Sequence, residues 1–125
     1  MFEIPKNCRY CGFPVVFTNN AEIYGKQYGG GKIYLCRNCG AYVGTHRGGK
    51  EPLGTLADAE LRKMRKEAHD CFDVLWKKTK LSRTQAYSWL SNQMGLPIEK
   101  THIGMFEIEQ CQKVIEIVIN IKKKI

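Results

Sequence analysis

The sequence predicts an α+β fold, with short antiparallel strands in residues 1–50 and about three helices in residues 51–125, packed together as one folded unit. Two Cys-x-x-Cys pairs occur within the first 40 residues, and short apolar stretches of strand type flank both pairs. In the second half of the chain, apolar residues recur at helical spacing. A length of 125 residues suits one domain, or a mini-domain with a helical partner.

The two cysteine pairs predict one tetrahedral zinc site. Cys8 and Cys11 form the first pair, and Cys36 and Cys39 form the second, so each pair can place two thiolates on one tight turn. A glycine follows each pair and permits the positive φ that such a turn tends to need. Four sulfurs leave no coordination position for water or substrate, which makes the expected single zinc ion structural.

Strand-type segments on both sides of the cysteines indicate a zinc ribbon. Residues 15–18 read as a first strand, and residues 21–24 as a possible second one after an Asn-Asn turn. Residues 32–35 lead into the second cysteine pair and residues 41–43 leave it. A ribbon this small would hardly fold without its metal, because its own apolar core is minimal.

The helical half begins after a linker, residues 45–54, which is rich in glycine and positive charge. Thr55, with Asp58 three residues later, resembles a capping box and predicts the start of a helix that ends at about Lys78. Its apolar positions are Leu61, Met64, Ala68, Cys71, Phe72, Leu75 and Trp76. Its solvated face is expected to carry Arg62, Lys63, Arg65, Lys66 and Glu67.

Two further helices are expected. Ser82 and Gln85 form a capping box that starts a short helix, which Gly95 ends at its C-terminus. The last helix spans about residues 106–120. Its predicted buried stripe is Ile108, Cys111, Val114, Ile115, Val118 and Ile119.

The composition indicates a basic protein of a reducing compartment. The chain has 20 Lys and Arg residues against 12 Asp and Glu residues, a formal net charge of +8, which a four-thiolate zinc site lowers to about +6. This charge suits a polyanion such as DNA or RNA. The start of the chain lacks a signal-peptide pattern, and the cysteine usage favours a reducing compartment such as the cytoplasm. Cys71 and Cys111 are expected to be small buried residues.

Several local strings resemble a known family. They are the Cys-x-Tyr-Cys-Gly opening and the segments 36–46, 52–62, 86–90 and 102–106. Together they resemble a family of small zinc-finger-containing proteins of phages and bacteria, a domain of unknown function. The resemblance implies that Cys8, Cys11, Cys36 and Cys39 are zinc ligands. It implies no activity.

A basic and aromatic surface around the ribbon is the main clue to function. The candidate nucleic-acid contacts are Arg9, Tyr10, Lys32, Arg37, His46, Arg47 and Lys50. Cationic side chains would meet phosphates, while Tyr10, Tyr34 or Tyr42 would stack on bases. In the alternative interpretation the tyrosines pack the ribbon core and the charges only solvate it.

The sequence favours a non-enzymatic adaptor that binds nucleic acid. It contains no phosphate-binding loop, no Gly-x-Ser-x-Gly motif and no His-Glu-x-x-His motif. A second metal site or a nucleophile built from His69, His102 and Cys111 is an open but minor alternative, and His46 is a possible substitute zinc ligand. The rival function is a protein-binding module, for example a phage factor that grips a host enzyme.

Overall fold

The computed structural model describes residues 2–26, 31–46 and 48–124. The chain divides into two compact units, Met1–Glu60 and Leu61–Ile125, which we call the ribbon unit and the helical unit. The ribbon unit contains three antiparallel strands and the helical unit contains the long helices, so the predicted α+β fold is confirmed. None of the described helices is long and apolar enough to cross a membrane.

The ribbon unit is built on a three-stranded sheet in the order β1-β2-β3, with β1 at Val16–Asn19, β2 at Lys32–Leu35 and β3 at Tyr42–Gly44. Tyr34 lies opposite Phe17 on one side and opposite Val43 on the other. Because β2 is central, its residues Ile33 to Leu35 are all buried. Beyond the strands, Tyr42 forms an isolated antiparallel bridge with Ala57.

The possible second strand at residues 21–24 is wrong, because this segment is a short helix, α1 (Ala21–Tyr24). The Asn19 side chain accepts a hydrogen bond from the backbone N–H of Ala21 at 2.8 Å, and the N–H groups of Ile23 and Tyr24 donate to the Asn20 carbonyl. These local bonds turn the chain immediately after β1. The asparagine pair therefore starts a helical turn rather than a hairpin.

The helix start predicted at Thr55 is also wrong. The helix α2 spans Ala59–Lys77, four residues later. Leu56 is 3% exposed within the ribbon core, and Ala57 exchanges backbone hydrogen bonds with Tyr42 at 3.0 and 3.2 Å. Pairing with β3 holds residues 56 and 57 extended, and this tertiary contact outweighs the local capping signal.

The helical unit contains α2, α3 (Arg83–Met94) and α4 (Ile108–Lys124), with two short 3₁₀ turns between α3 and α4. The predicted capping box at the start of α3 is present: the Ser82 hydroxyl accepts from the Gln85 N–H, and the Gln85 side chain accepts from the Ser82 N–H. Gly95 ends the helix in the left-handed conformation with φ of 69°, also as predicted.

The core of the helical unit is apolar. Its fully buried members include Phe72, Leu90, Ile103, Phe106, Cys111 and Val114. Cys111 is buried as predicted, whereas Cys71 is only half-buried. The predicted stripe on the last helix is wrong at Ile119, which is 45% exposed, while Ile117 packs against the core instead.

Arg65 departs from the predicted solvated face of α2, since only 8% of this residue is exposed. Its Nε donates a 2.9 Å hydrogen bond to the Phe106 carbonyl, and its guanidinium lies 3.8 Å from the Glu107 carboxylate. The side chain thus links α2 to the segment that precedes α4. Helical periodicity locates a face but cannot show that a backbone carbonyl from a distant segment approaches it.

Candidate metal centre

The two cysteine pairs lie on turns of the same construction. In each turn the N–H of the first cysteine donates to a carbonyl five residues later, over 2.7 Å from Cys8 and 2.9 Å from Cys36. The following glycine donates back to the carbonyl of that cysteine, over 2.9 Å from Gly12 and 2.8 Å from Gly40. Both glycines have positive φ, 81° and 83°, as the sequence predicted. The repeated turn explains why each pair needs a glycine directly after it.

These turns bring all four sulfurs together. The Sγ atoms of Cys8, Cys11, Cys36 and Cys39 lie within 4.8 Å of one another. The shortest separations join the two turns, at 3.4 Å from Cys8 to Cys39 and 3.4 Å from Cys11 to Cys36. Four sulfurs around a tetrahedral zinc with bonds of about 2.3 Å lie about 3.8 Å apart. The cluster therefore matches the size of a closed four-thiolate zinc site.

The surroundings of the sulfurs shift the pKa values of the Cys11 and Cys39 thiols in opposite directions. Hydrogen bonds from the Asn38 side chain and then from the Phe13 backbone lower the pKa of Cys11 to about 6. At Cys39 the bond with the Ala41 backbone lowers the pKa, but hydrogen bonds with Cys8, burial and the other thiols raise it to about 12. A zinc ion requires all four as thiolates, so its binding releases protons from this cluster. Zinc would supply charge balance and a fixed crosslink here, with no open position for catalysis.

Asn38 was not singled out by the sequence analysis. It occupies the second of the two positions between Cys36 and Cys39, where any residue satisfies the cysteine spacing. A polar side chain between two expected ligands is the signal that would have indicated it. Its role is to supply a hydrogen bond to a sulfur on the opposite turn.

Comparison with protein families decides which group this site belongs to. The sequence model of a family described as a zinc-finger-containing domain matches residues 4–121, which is nearly the whole chain. The chain belongs to this family. Comparisons with curated proteins and with solved structures gave no match. The family and the four-cysteine cluster together support one structural zinc ion, and so the predicted cofactor is confirmed.

The structure separates the candidate nucleic-acid contacts of the ribbon unit into two groups. Arg9, Tyr10 and Arg37 lie on the cysteine turns, and we call them the knuckle group. Lys32 is the first residue of β2, and its carbonyl accepts a hydrogen bond from Thr45, next to His46. Lys50 joins this second group, because the His46 N–H donates to the Glu51 carbonyl over 2.9 Å and so closes the turn that contains Lys50. Arg47, the remaining candidate, lies outside the described residues.

We call Lys32, His46 and Lys50 the sheet-end group. All three are exposed. The length of β2, about 10 Å at 3.3 Å per residue, separates this group from the second cysteine turn, which follows Leu35 directly. The candidate surface therefore has two parts rather than the single cluster that the sequence suggested.

Arg37 is engaged within the ribbon unit. Its Nε and guanidinium nitrogen donate to the two carboxylate oxygens of Glu22 over 3.1 and 2.7 Å, a bidentate ion pair. The Arg37 guanidinium, helped by the hydroxyl of Thr18, lowers the pKa of Glu22 to about 2. Arg37 would contact a phosphate only in competition with this carboxylate. The sequence could not show this pairing, which depends on α1.

The three candidate stacking tyrosines differ in exposure. Tyr34 is 5% exposed and belongs to the ribbon core, so the alternative of a packing role is correct for it. Tyr42 is half-buried in β3. Tyr10 is 42% exposed, and the Arg9 guanidinium lies 5.1 Å from the centre of its ring.

The structure buries the cysteine of the alternative site that His69, His102 and Cys111 would form. Cys111 is fully buried, and burial raises the pKa of its thiol to about 11, so it is protonated at neutral pH. His102 is exposed, with its ring 6.1 Å from that of Tyr87. Burial lowers the pKa of His69. Among the described residues, the four cysteines are the group of three or more ligand-type side chains close enough to hold a metal.

Proposed function

We propose that the protein is a non-enzymatic adaptor that binds DNA or RNA through the ribbon unit, in the cytoplasm, where reducing conditions preserve its thiols. The observation that carries the proposal is the Arg9–Tyr10 pair, an exposed cation stacked on an exposed aromatic ring directly beside the zinc site. Such a pair offers both a phosphate contact and a stacking surface for a base.

The ribbon holds Tyr10 at both ends of the residue. Its backbone N–H donates to the Cys8 sulfur at 3.4 Å, and its hydroxyl accepts a hydrogen bond from the Asp58 N–H at 3.2 Å. Part of the ring stays open between these anchors. A fixed ring loses little conformational entropy when a base stacks on it, and zinc contributes to binding by fixing the turn that carries it.

The sheet-end group adds positive charge at a distance. About 10 Å separates it from the second cysteine turn, which corresponds to the axial rise of about three base pairs of a duplex at 3.4 Å each. Lysines act as point charges on phosphates and read no sequence. We therefore expect binding that is weakly sequence-specific and strongly dependent on salt.

A charge-matched set of variants tests the proposal. The triple variant Arg9→Ala, Lys32→Ala, Lys50→Ala should weaken binding to a fluorescent oligonucleotide and reduce the slope of log affinity against log salt by about 2 to 3. The control removes three exposed lysines of the helical unit, Lys63, Lys100 and Lys113. Zinc content should stay at one ion in every variant. If both triple variants lost the same amount of affinity for the oligonucleotide, net charge and not the ribbon surface would govern binding.

Tyr10→Leu separates stacking from charge. Loss of a base–aromatic contact costs about 1–3 kcal/mol per base without changing the salt slope. Unchanged affinity for single-stranded oligonucleotides would contradict a stacking role for Tyr10.

A protein-binding function is the second candidate, and a specific observation favours it. Phe13, Phe17 and Tyr24 of the ribbon unit are 53%, 41% and 51% exposed. Exposed aromatic side chains of this size are typical of protein interaction surfaces. The affinity for an apolar surface changes little with salt. A protein partner whose binding is insensitive to salt and is lost in the double variant Phe13→Ser, Phe17→Ser would therefore support this second function.

A further inference from the structure

The positive charge of the chain is concentrated in the helical unit. Residues 1–60 carry seven Lys and Arg residues against five Asp and Glu residues, whereas residues 61–125 carry thirteen against seven. Four thiolates with one zinc ion contribute about −2, which brings the ribbon unit close to neutrality. The helical unit therefore supplies most of the net positive charge that attracts a polyanion, in addition to the individual cations of the ribbon surface.

One short segment stands out within the helical unit. Lys77, Lys78, Lys80 and Arg83 lie within seven consecutive residues at the connection from α2 to α3, and we call them the basic turn. All four are exposed. The sequence has no Asp or Glu between residues 74 and 98, so the first turn of α3 also lacks an acidic residue.

Hydrogen bonds hold the connection itself in place. The hydroxyl of Thr79 donates to the Trp76 carbonyl over 2.6 Å, and the Thr79 N–H donates to the same carbonyl over 3.1 Å. The N–H of Leu81 donates to the Thr79 hydroxyl over 3.2 Å, after which the capping box of Ser82 begins α3. The backbone is therefore ordered on both sides of Lys80.

The cations of the basic turn differ from others on the same helices in what they contact. Lys66 is paired with Asp70 at 2.9 Å, and Arg65 is buried against the Phe106 carbonyl. Within the described part of the chain, no carboxylate lies within ion-pair distance of the three lysines of the basic turn. Arg83 lies over the ring of Tyr87, with its guanidinium carbon 5.6 Å from the ring centre.

We propose that the basic turn is a second contact surface of the protein and binds the phosphodiester backbone of a nucleic acid. This inference rests on the proposed function and places much of its phosphate contact on the helical unit. Three of the four cations are lysines, which bind phosphates as point charges on flexible stems. The three lysines meet phosphates as point charges and carry no sequence information, and the Arg83 guanidinium is engaged on the Tyr87 ring, so we expect a contact that is independent of sequence.

The size of the effect follows from the release of counterions. Three lysine–phosphate contacts on duplex DNA contribute about 2.7 to the slope of log affinity against log salt. Between 50 and 200 mM salt, this slope amounts to a change in affinity of about 40-fold. The triple variant Lys77→Ala, Lys78→Ala, Lys80→Ala should show a slope shallower by about this amount, and affinity at low salt weaker by roughly 10- to 100-fold.

The test compares the zinc-loaded wild-type protein, the basic-turn triple variant and the Lys63, Lys100, Lys113 triple variant against the same labelled DNA duplex at several salt concentrations. A shallower slope in the basic-turn variant, with a smaller change in the control, is expected. If the wild-type protein binds the duplex and both variants show the same salt slope, the basic turn is not a contact surface. The proposed function would still stand. Absence of wild-type binding at low salt overturns both.

A second measurement does not depend on the folding of any variant. In the wild-type protein, backbone amide resonances of residues 77–83 should shift on addition of the duplex, and shifts confined to the ribbon unit would overturn the proposal. Poly-glutamate of matched charge serves as the competing ligand. Tighter binding of poly-glutamate than of DNA by the basic turn would indicate an acidic protein partner and would also overturn it.

Discussion

Replacing Arg65 with methionine is expected to destabilise the helical unit, although Arg65 lies on a helix face that looks solvated in the sequence. Methionine fills a similar buried volume but cannot donate to the Phe106 carbonyl, to which Arg65 donates at 2.9 Å. A hydrogen bond made by a charged group contributes about 1.5–3 kcal/mol to the free energy of unfolding. At roughly 4 °C per kcal/mol for a chain of this size, the melting temperature should fall by about 6–12 °C.

Two matched variants separate the hydrogen bond from the charge. Lys63→Met removes one positive charge from an exposed position of the same helix and should change the free energy of unfolding by less than about 0.5 kcal/mol. Glu107→Gln removes the charge from a carboxylate that is 3.8 Å from Arg65 and 47% exposed, and its cost should be within about 1 kcal/mol. Urea unfolding followed by circular dichroism measures all three variants.

An Arg65→Met variant as stable as the wild type would contradict a stabilising role for the Arg65 hydrogen bond. That result would mean that the cost of burying the guanidinium cancels its hydrogen bond. If Glu107→Gln costs as much as Arg65→Met, the ion pair rather than the carbonyl contact stabilises this region.

Three further predictions concern the ribbon unit. Gly40→Ala places a side chain at a φ of +83°, and no other atom lies within 4 Å of the new Cβ. We expect the variant to lose zinc to a chelator faster than the wild type, because of backbone strain alone. An unchanged rate would contradict the need for glycine at this position. Chelation of zinc should remove the dispersed amide resonances of the ribbon unit while the helical circular dichroism largely persists, because the buried cluster described for the helical unit is built from residues 68–114. Complete loss of helicity would refute this. Glu22→Gln releases Arg37 from its ion pair and should tighten oligonucleotide binding about 2- to 5-fold, whereas an unchanged affinity would exclude Arg37 from the contact surface.

The metal centre could be predicted from the sequence because its determinants are local. Each cysteine turn is closed by hydrogen bonds within six residues, and its glycine adopts the positive φ that the motif requires. The capping box of α3 and the left-handed Gly95 were predictable for the same reason. In these cases the residues that cause the structure are neighbours in the chain.

The errors arose where residues far apart in the chain decide the structure. Pairing of Ala57 with Tyr42 delays the start of α2, and the carbonyl of Phe106 draws Arg65 into the core. Arg37 looked available as a phosphate contact until α1 brought Glu22 to it. No spacing rule within a segment reports such contacts, which join residues 15 to 41 positions apart.

The division of the candidate surface has the same origin. In the sequence, Lys32, Arg37 and Lys50 surround one cysteine pair and suggest a single patch. In the ribbon unit the length of β2 separates Lys32 from the turn that carries Arg37. Only the sheet register shows which of these charges can meet the same phosphate.

The most direct test of the account is a fluorescence-anisotropy titration of the zinc-verified wild-type protein with single- and double-stranded DNA and RNA at 50 and 200 mM salt. We expect binding to at least one of these nucleic acids at the lower salt, weakened by about 10³-fold or more at the higher salt if six or more phosphates are contacted. Absence of binding at the lower salt, or affinity that is equal at both, would contradict the nucleic-acid function and favour a protein partner for the exposed aromatic residues of the ribbon unit.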